Sequence, residues 1–262
     1  MKIRILFLIL FVSLYTTLSA GWKEKPEFGA VFEEAGVTGT FVLLDPDSGD
    51  LHGYHAVRAA TRFVPASTFK IPHTVIALSE GVVAGIDEII PYGGQPLAFK
   101  DWERDMPLKE ALALSNASVF QQVAARIGLE RMDKNIRNLC YGNMNLGENV
   151  TRFWLDGPLK ITAIEQIQVI RNLMTKDMGY PAVAIAAMKE GIKIEEGAGW
   201  ILYAKSGWQN APGPGVGWWV GWIDQGDQEY FFAMNIDIVS VEDAKQREVV
   251  SRKCLALGGL LE

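Results

Sequence analysis

A serine and a lysine stand three residues apart in Ser67-Thr68-Phe69-Lys70. On a helix, residues at that spacing share a face, so the Ser67 hydroxyl and the Lys70 amine can meet. A hydroxyl beside an amine able to take its proton is a nucleophile that needs no histidine. The start of a helix adds free N–H groups and the positive end of the backbone dipole, and both favour a developing oxyanion. The tetrad alone is weak, because a capping serine followed by a solvated lysine looks the same. Its flanks, Val64-Pro65-Ala66 and Ile71-Pro72, set the lysine in apolar surroundings instead.

Lys205-Ser206-Gly207 offers a cation, a hydroxyl and a small residue at the end of a strand-like run. Such a group can receive a carboxylate and let a substrate backbone lie alongside. Ser115 begins the helix that holds Phe120, and Tyr141-Gly142-Asn143 opens a long loop containing Trp154. Other chemistries are poorly served. There are three histidines, His52, His55 and His73. The first two lie on a strand, where residues three apart face opposite sides, so a shared metal is not expected. His73 follows Lys70 on its helix and reads as a helix-surface residue. Asp45, Asp47 and Asp50 fail as a calcium loop, since Gly49 comes one place early and Ala56 stands where a glutamate is needed. Gly213, Gly215, Gly217 and Gly221 lack the following helix that a dinucleotide loop requires. Trp218, Trp219 and Trp222 read as sheet packing. No metal or redox cofactor is expected. Cys140 and Cys254 either form a bridge or stay as two buried free thiols.

The elements that must position these residues follow from patterning. Residues 39–54 read as a β-hairpin turning at Asp45-Pro46-Asp47-Ser48-Gly49. The middle of the chain is helical: Ser67–Glu80 stopped by Gly81, Asn116–Ile127, a helix opened by the capping box Thr162/Glu165, and another from Pro181 to Gly191. Between them, Tyr141–Lys160 is a long loop whose Phe153-Trp154-Leu155 argues that it packs. Strands return at Gly199–Ser206, Gly217–Ile223 and Tyr230–Ile238, with a final helix over Ser240–Leu261. Strands at both ends around a helical middle predict an α+β fold. An antiparallel β-sheet would be flanked by terminal helices, with an all-helical subdomain inserted.

The chain of 262 residues can bury a large core without staples. Lys2 and Arg4 precede the apolar run Ile5–Tyr15 and the small residues Ser19, Ala20 and Gly21, which is the pattern of a secretory signal peptide over residues 1–20. Its removal takes the net charge from −6 to −8. Residues 21–262 are expected to form a single domain, with sheet parts at about 21–60 and 196–262 and a helical part at about 61–195. The acidic balance and the lack of a Lys/Arg cluster exclude nucleic acid as a partner.

Taken together, in this order and at these spacings, the motifs resemble the penicillin-recognising serine enzymes. Within that group the chain is similar to the class D serine β-lactamases, the oxacillinases. The resemblance rests on Ser67-Thr68-Phe69-Lys70, Tyr141-Gly142-Asn143, Phe153-Trp154-Leu155-Asp156-Gly157-Pro158-Leu159 and Lys205-Ser206-Gly207-Trp208. It implies the β-lactamase/transpeptidase-like fold and hydrolysis of penicillins of the oxacillin type, conferring β-lactam resistance. It implies Ser67 as nucleophile and Lys70, N-carboxylated by CO2 or bicarbonate, as general base. Ser115 would pass a proton, with Lys205 nearby in the catalytic group, and Trp154 would bond the lysine carbamate. Backbone N–H groups of Ser67 and Trp208 would hold the oxyanion, while Ser206, Gly207, Trp208 and Arg247 would bind substrate. One departure stands out: the second motif, usually Ser-x-Val, reads Ser115-Asn116-Ala117.

The expected setting is export to the periplasm, with small-molecule β-lactams as partners and no stable membrane association after signal cleavage. A homodimer through a sheet edge stays open. Two other readings share the motifs: a penicillin-binding sensor domain and a cell-wall peptidase, each acylated without turnover.

Overall fold

The computed structural model describes residues 21–209 and 213–261. The expected signal peptide, residues 1–20, lies outside the described residues. The chain opens with β1 (Trp22–Glu24), α1 (Pro26–Ala35), the hairpin β2 (Gly39–Leu44) and β3 (Leu51–Tyr54), and a short α2 (Ala56–Ala59). A 3-10 turn at Ala66–Phe69 runs into α3 (Lys70–Ser79). Next come β4 (Ile89–Ile90), β5 (Met106–Pro107), α4 (Leu108–Ala113), α5 (Ala117–Ile127), α6 (Leu129–Asn138), α7 (Ala163–Thr175) and α8 (Ala182–Ile192). The last third holds β6 (Lys193–Gly197), β7 (Trp200–Gln209), β8 (Gly215–Asp224), β9 (Glu229–Ile238) and α9 (Val241–Leu257).

The strands β1-β3-β2-β9-β8-β7-β6 form one sheet, while β4 and β5 pair separately. The expected antiparallel sheet carries one exception, because β1 pairs with β3 in parallel. The reason is connectivity: α1 and β2 intervene, and only a crossover of that kind can bring two strands together in the same direction. Alternate residues of β9 serve two cores. Phe232 and Met234 pack with Phe28 and Phe32 of α1 and with Val250 and Leu255 of α9. Phe231 and Ala233 face the helical part of the chain. Both faces are therefore covered, and nine of the ten residues of β8 are buried.

Local chemistry sets the helix starts. The boxes Thr162/Glu165 and Ser240/Asp243 open α7 and α9. Pro181 caps α8 rather than starting it. Cys140 and Cys254 are both free, and of the two only Cys254 is buried, which pushes its thiol up to about 12. Among the described residues no helix is long and apolar enough to cross a membrane.

Candidate active site

The turn carrying Ser67 is pinned from three sides. Thr68 Oγ1 donates to the Pro65 carbonyl at 2.8 Å and accepts from Gln166 Nε2 of α7 at 2.7 Å. Trp218 Nε1 of β8 donates to the Val64 carbonyl at 2.8 Å. Phe69 is buried and meets Tyr141 and Phe153 edge to face at 5.2 and 5.1 Å. Ser67 is left as the partly exposed residue of a buried run. Its Oγ accepts from Lys70 Nζ at 2.7 Å, as the three-residue spacing predicts.

Lys70 is wholly buried, with its Nζ 5.3 Å from the centre of the Phe120 ring. Burial, reinforced by the Lys205 charge, holds its amine well below the ordinary lysine range. A neutral amine has a lone pair and can act as a base or a nucleophile, which a solvated ammonium cannot.

Lys205 reaches from β7 and donates to Ser115 Oγ. Burial, and then the neighbouring Arg247 charge, lower it to about 7. Ser115 does not begin its helix. It sits two residues before α5, at φ 57°, and Asn116 caps the helix by accepting from the Val119 N–H at 3.2 Å. The left-handed turn projects the hydroxyl into the cleft, whereas a helical serine would follow the helix surface.

The strand carrying Lys205 runs close to the Ser67 turn, and Gly207 permits this. A Cβ there would stand 2.9 Å from the Pro65 carbonyl oxygen and 3.1 Å from Thr68 Cγ2. Arg247 comes from α9. One of its terminal nitrogens donates to the Gly207 carbonyl at 2.6 Å, and its Cζ lies 6.0 Å from the Trp208 ring. Ser67, Ser115, Ser206, Gly207, Trp208 and Arg247 line one cavity of about 290 Å³. Sequence reading missed Phe99, which is exposed at the mouth and packs edge to face against Trp102 at 4.8 Å. Two aromatics three apart in a polar loop were the available signal. Met106 is buried, and its sulfur accepts from Asn116.

Behind the cavity, the loop after α6 is closed by Asn143. Its side chain donates to the Pro158 carbonyl and accepts from the Lys160 N–H, at 2.8 and 3.0 Å. This closure folds Phe153 and Trp154 inward, both fully buried, so the loop packs as expected. Trp154 Nε1 is buried without a hydrogen-bond partner among the described residues. His73 corrects the expectation of a surface residue: it is wholly buried, and neither ring nitrogen has a partner. Residues i and i+3 of α3 both face inward because the helix is enclosed all round, leaving no solvent face over Lys70–Ala77. Each unpaired buried polar group costs about 1–3 kcal/mol, so this cluster bears a cost that packing alone does not explain. Among the described residues no cluster of three or more His, Cys, Asp or Glu side chains could hold a metal ion.

A serine bonded to a buried lysine, faced by the contact of Lys205 on β7 with Ser115 before α5, is the arrangement expected of a penicillin-recognising serine enzyme. The family model for the penicillin binding protein transpeptidase domain matches residues 39–256. The chain belongs to that family and, within it, to the class D β-lactamases. It is 34% identical to β-lactamase OXA-5 of Pseudomonas aeruginosa over 100% of this chain and 99% of the relative. It is 33% identical to OXA-48 of Klebsiella pneumoniae over 95% of this chain and 94% of the relative. Among solved structures it resembles the class D β-lactamase YbXI from Nostoc with a TM-score of 0.87 at 34% identity, covering 89% of this chain and 99% of that one. FUS-1, a class D β-lactamase from Fusobacterium nucleatum, gives a TM-score of 0.88 at 33% identity over 92% and 100%.

Proposed function

We propose that this protein hydrolyses the β-lactam amide of penicillins through an acyl group carried on Ser67, and so confers β-lactam resistance. The observation that carries the reading is the 2.7 Å contact between Ser67 Oγ and the buried Lys70 amine, whose proton affinity burial lowers, beside a cavity lined by Ser67, Ser115 and Arg247, with Lys205 bonded to Ser115. In acylation, the Ser67 Oγ–carbon bond forms and the lactam carbon–nitrogen bond breaks. The leaving nitrogen takes its proton from Ser115, with Lys205 beside it. The backbone N–H groups of Ser67 and Trp208 hold the oxyanion, and Arg247 with Lys205 holds the substrate carboxylate. Ser206 and Gly207 let the substrate lie along β7, and the Phe99–Trp102 pair suits an apolar or aromatic substituent at the mouth.

Deacylation needs a base, and no carboxylate or partnered histidine faces the cavity among its lining residues other than Asp101 at the rim. The pocket around Lys70 fits a carboxyl group derived from CO2: burial favours the neutral amine, and the Trp154 indole N–H is buried and unpaired. Bound to the Lys70 nitrogen, with one proton released, that group supplies an anionic base able to take a proton from Ser67 and later from water. Lys70 positions it beside Ser67, Trp154 bonds it, and the aromatic wall keeps bulk water away. The N-terminal signal pattern supports export to the periplasm.

Continuous hydrolysis of a penicillin, with a single adduct by intact mass on a poor substrate, is the expected result. Ser67→Ala should lose both the adduct and several orders of magnitude of turnover. One acylation event per chain without turnover would instead establish a sensor or a peptidase. An adduct persisting on Ser67→Ala would overturn the assignment of the nucleophile.

A further inference from the structure

His73 has no part in the chemistry above, yet it is built into the wall behind Lys70. It lies three residues after Lys70 on α3, so both side chains project from the same face. Its ring stands 5.2 Å from Trp154 and 5.2 Å from Phe120, centre to centre. Phe120 is the ring that also lies 5.3 Å from Lys70 Nζ. Phe69, at 5.4 Å, completes the enclosure. These neighbours are aromatic and present no hydrogen-bond acceptor of ordinary strength. The imidazole is nonetheless wholly buried with both nitrogens unpaired, beside an indole N–H in the same condition. A wholly buried position whose ring nitrogens find no partner would be filled at lower cost by phenylalanine or leucine.

We infer that His73 is a positioning residue for the carboxyl group on Lys70, its ring N–H donating to that group together with the Trp154 indole N–H. The inference rests on the reading of Lys70 as a carboxylated base. An anionic carboxyl group has two oxygens and accepts from several donors at once, and two converging N–H groups hold its plane as well as its charge. The imidazole donates as a neutral ring, through one of its two nitrogens. Burial keeps it neutral, with its titration lowered to about 3.

The full-length mature protein, labelled with carbon-13 bicarbonate, provides a readout separate from turnover. The wild type should show a carbamate carbon signal, and the bicarbonate concentration for half-labelling should rise about tenfold or more in His73→Phe, which keeps the ring volume and removes the N–H. His73→Asn or His73→Gln, which restore a donor at one or other nitrogen position, should recover much of that loss and displace the carbon signal. A merely structural role predicts the reverse order, with phenylalanine best tolerated. Half-labelling of His73→Phe at the wild-type bicarbonate concentration would overturn the inference. Absence of the signal in the wild type would remove the carboxylated base itself, and is seen before any variant is compared. Should the variants fail to fold, nitrogen-15 spectra of the wild-type His73 ring decide the matter. The ring N–H resonance must shift when bicarbonate is withdrawn, and an unchanged resonance overturns the role.

Discussion

Lys205 and Ser115, 90 residues apart in the chain, meet side chain to side chain across the cleft between β7 and the start of α5. The contact joins the strand part of the fold to the helical part, and it does so with a buried cation. Lys205 is 4% exposed and has no carboxylate partner among the described residues. Such an arrangement serves an anionic substrate at the expense of the free protein's stability.

Lys205→Met should therefore stabilise the protein while abolishing turnover. Replacing a buried charge with a well-packed apolar chain gains about 1–4 kcal/mol. The gain has a defined pH dependence. Below pH 7 the folded and unfolded wild type both hold the proton, and the full cost of the buried cation is present. Between about 7 and the unfolded value of 10.5 the folded protein has lost a proton that the unfolded chain keeps, so wild-type stability climbs. The difference between variant and wild type should be largest below pH 7 and close as pH approaches 10.5. Urea melts across that range measure it; a difference independent of pH would show that the cation is not the cause.

Gly207→Ala should damage both stability and catalysis. The added methyl would meet the Pro65 carbonyl oxygen at 2.9 Å and the Thr68 backbone nitrogen at 3.3 Å, and neither can swing aside. Overpacking of this kind costs about 1–3 kcal/mol. Relief would move β7 away from the Ser67 turn, and misplacement by about 1 Å costs on the order of a hundredfold in rate. Thermal melts and kcat/KM for a penicillin test the two effects on the same sample. Unchanged kcat/KM would mean that the strand's distance from Ser67 does not matter.

Arg247 matched the family by position in the sequence more than by motif, and the structure brings it to the cavity. Its Nε donates to the Ala244 carbonyl at 2.5 Å and one terminal nitrogen to the Gly207 carbonyl at 2.6 Å. The other terminal nitrogen has no protein acceptor among the described residues and remains for a ligand. Arg247→Ala should raise KM for an anionic penicillin by about ten- to a hundredfold, the worth of a charge-assisted bond. Its effect on kcat should be several-fold at most, because the guanidinium does not touch the reacting bond. Unchanged KM would place the carboxylate elsewhere.

What the sequence revealed and what it hid divide along physical lines. Ser67, Lys70 and the Thr162/Glu165 capping box were legible because helix periodicity and cap chemistry are local. Helix α6 was not, since it follows α5 with only Gly128 between and shows few apolar residues, with Met132 and Ile136 buried. The meeting of Lys205 with Ser115 depends on tertiary closure that no spacing encodes. His73 was misread for the same reason: one helix face looks like another until the packing on every side is known. Ser115 was read as a helix start because its backbone torsion is set by the turn before Asn116, and a serine is not a residue that announces a positive φ.

Ala117 opens α5 at the third place of the Ser115-Asn116-Ala117 motif, where the family resemblance leads to the expectation of valine, and three residues later Phe120 covers Lys70 Nζ from the same helix face. The two methyl groups that alanine lacks would extend that cover toward Ser115. Ala117 is itself partly exposed, so water approaches this edge of the site. A wetter edge helps deliver the deacylating water and also weakens the dry setting that keeps the Lys70 amine neutral. Ala117→Val should make the site drier. If Lys70 bears the proposed carboxyl group, the variant should hold it at several-fold lower bicarbonate than the wild type, and its deacylation should slow because water reaches the acyl group less often. Carbon-13 labelling against bicarbonate concentration reads the first effect, and the lifetime of the acyl adduct by mass spectrometry reads the second. Identical bicarbonate dependence in the two proteins would show that cover at residue 117 has no hold on Lys70, and would assign control of its environment to Phe120, Trp154 and His73 alone.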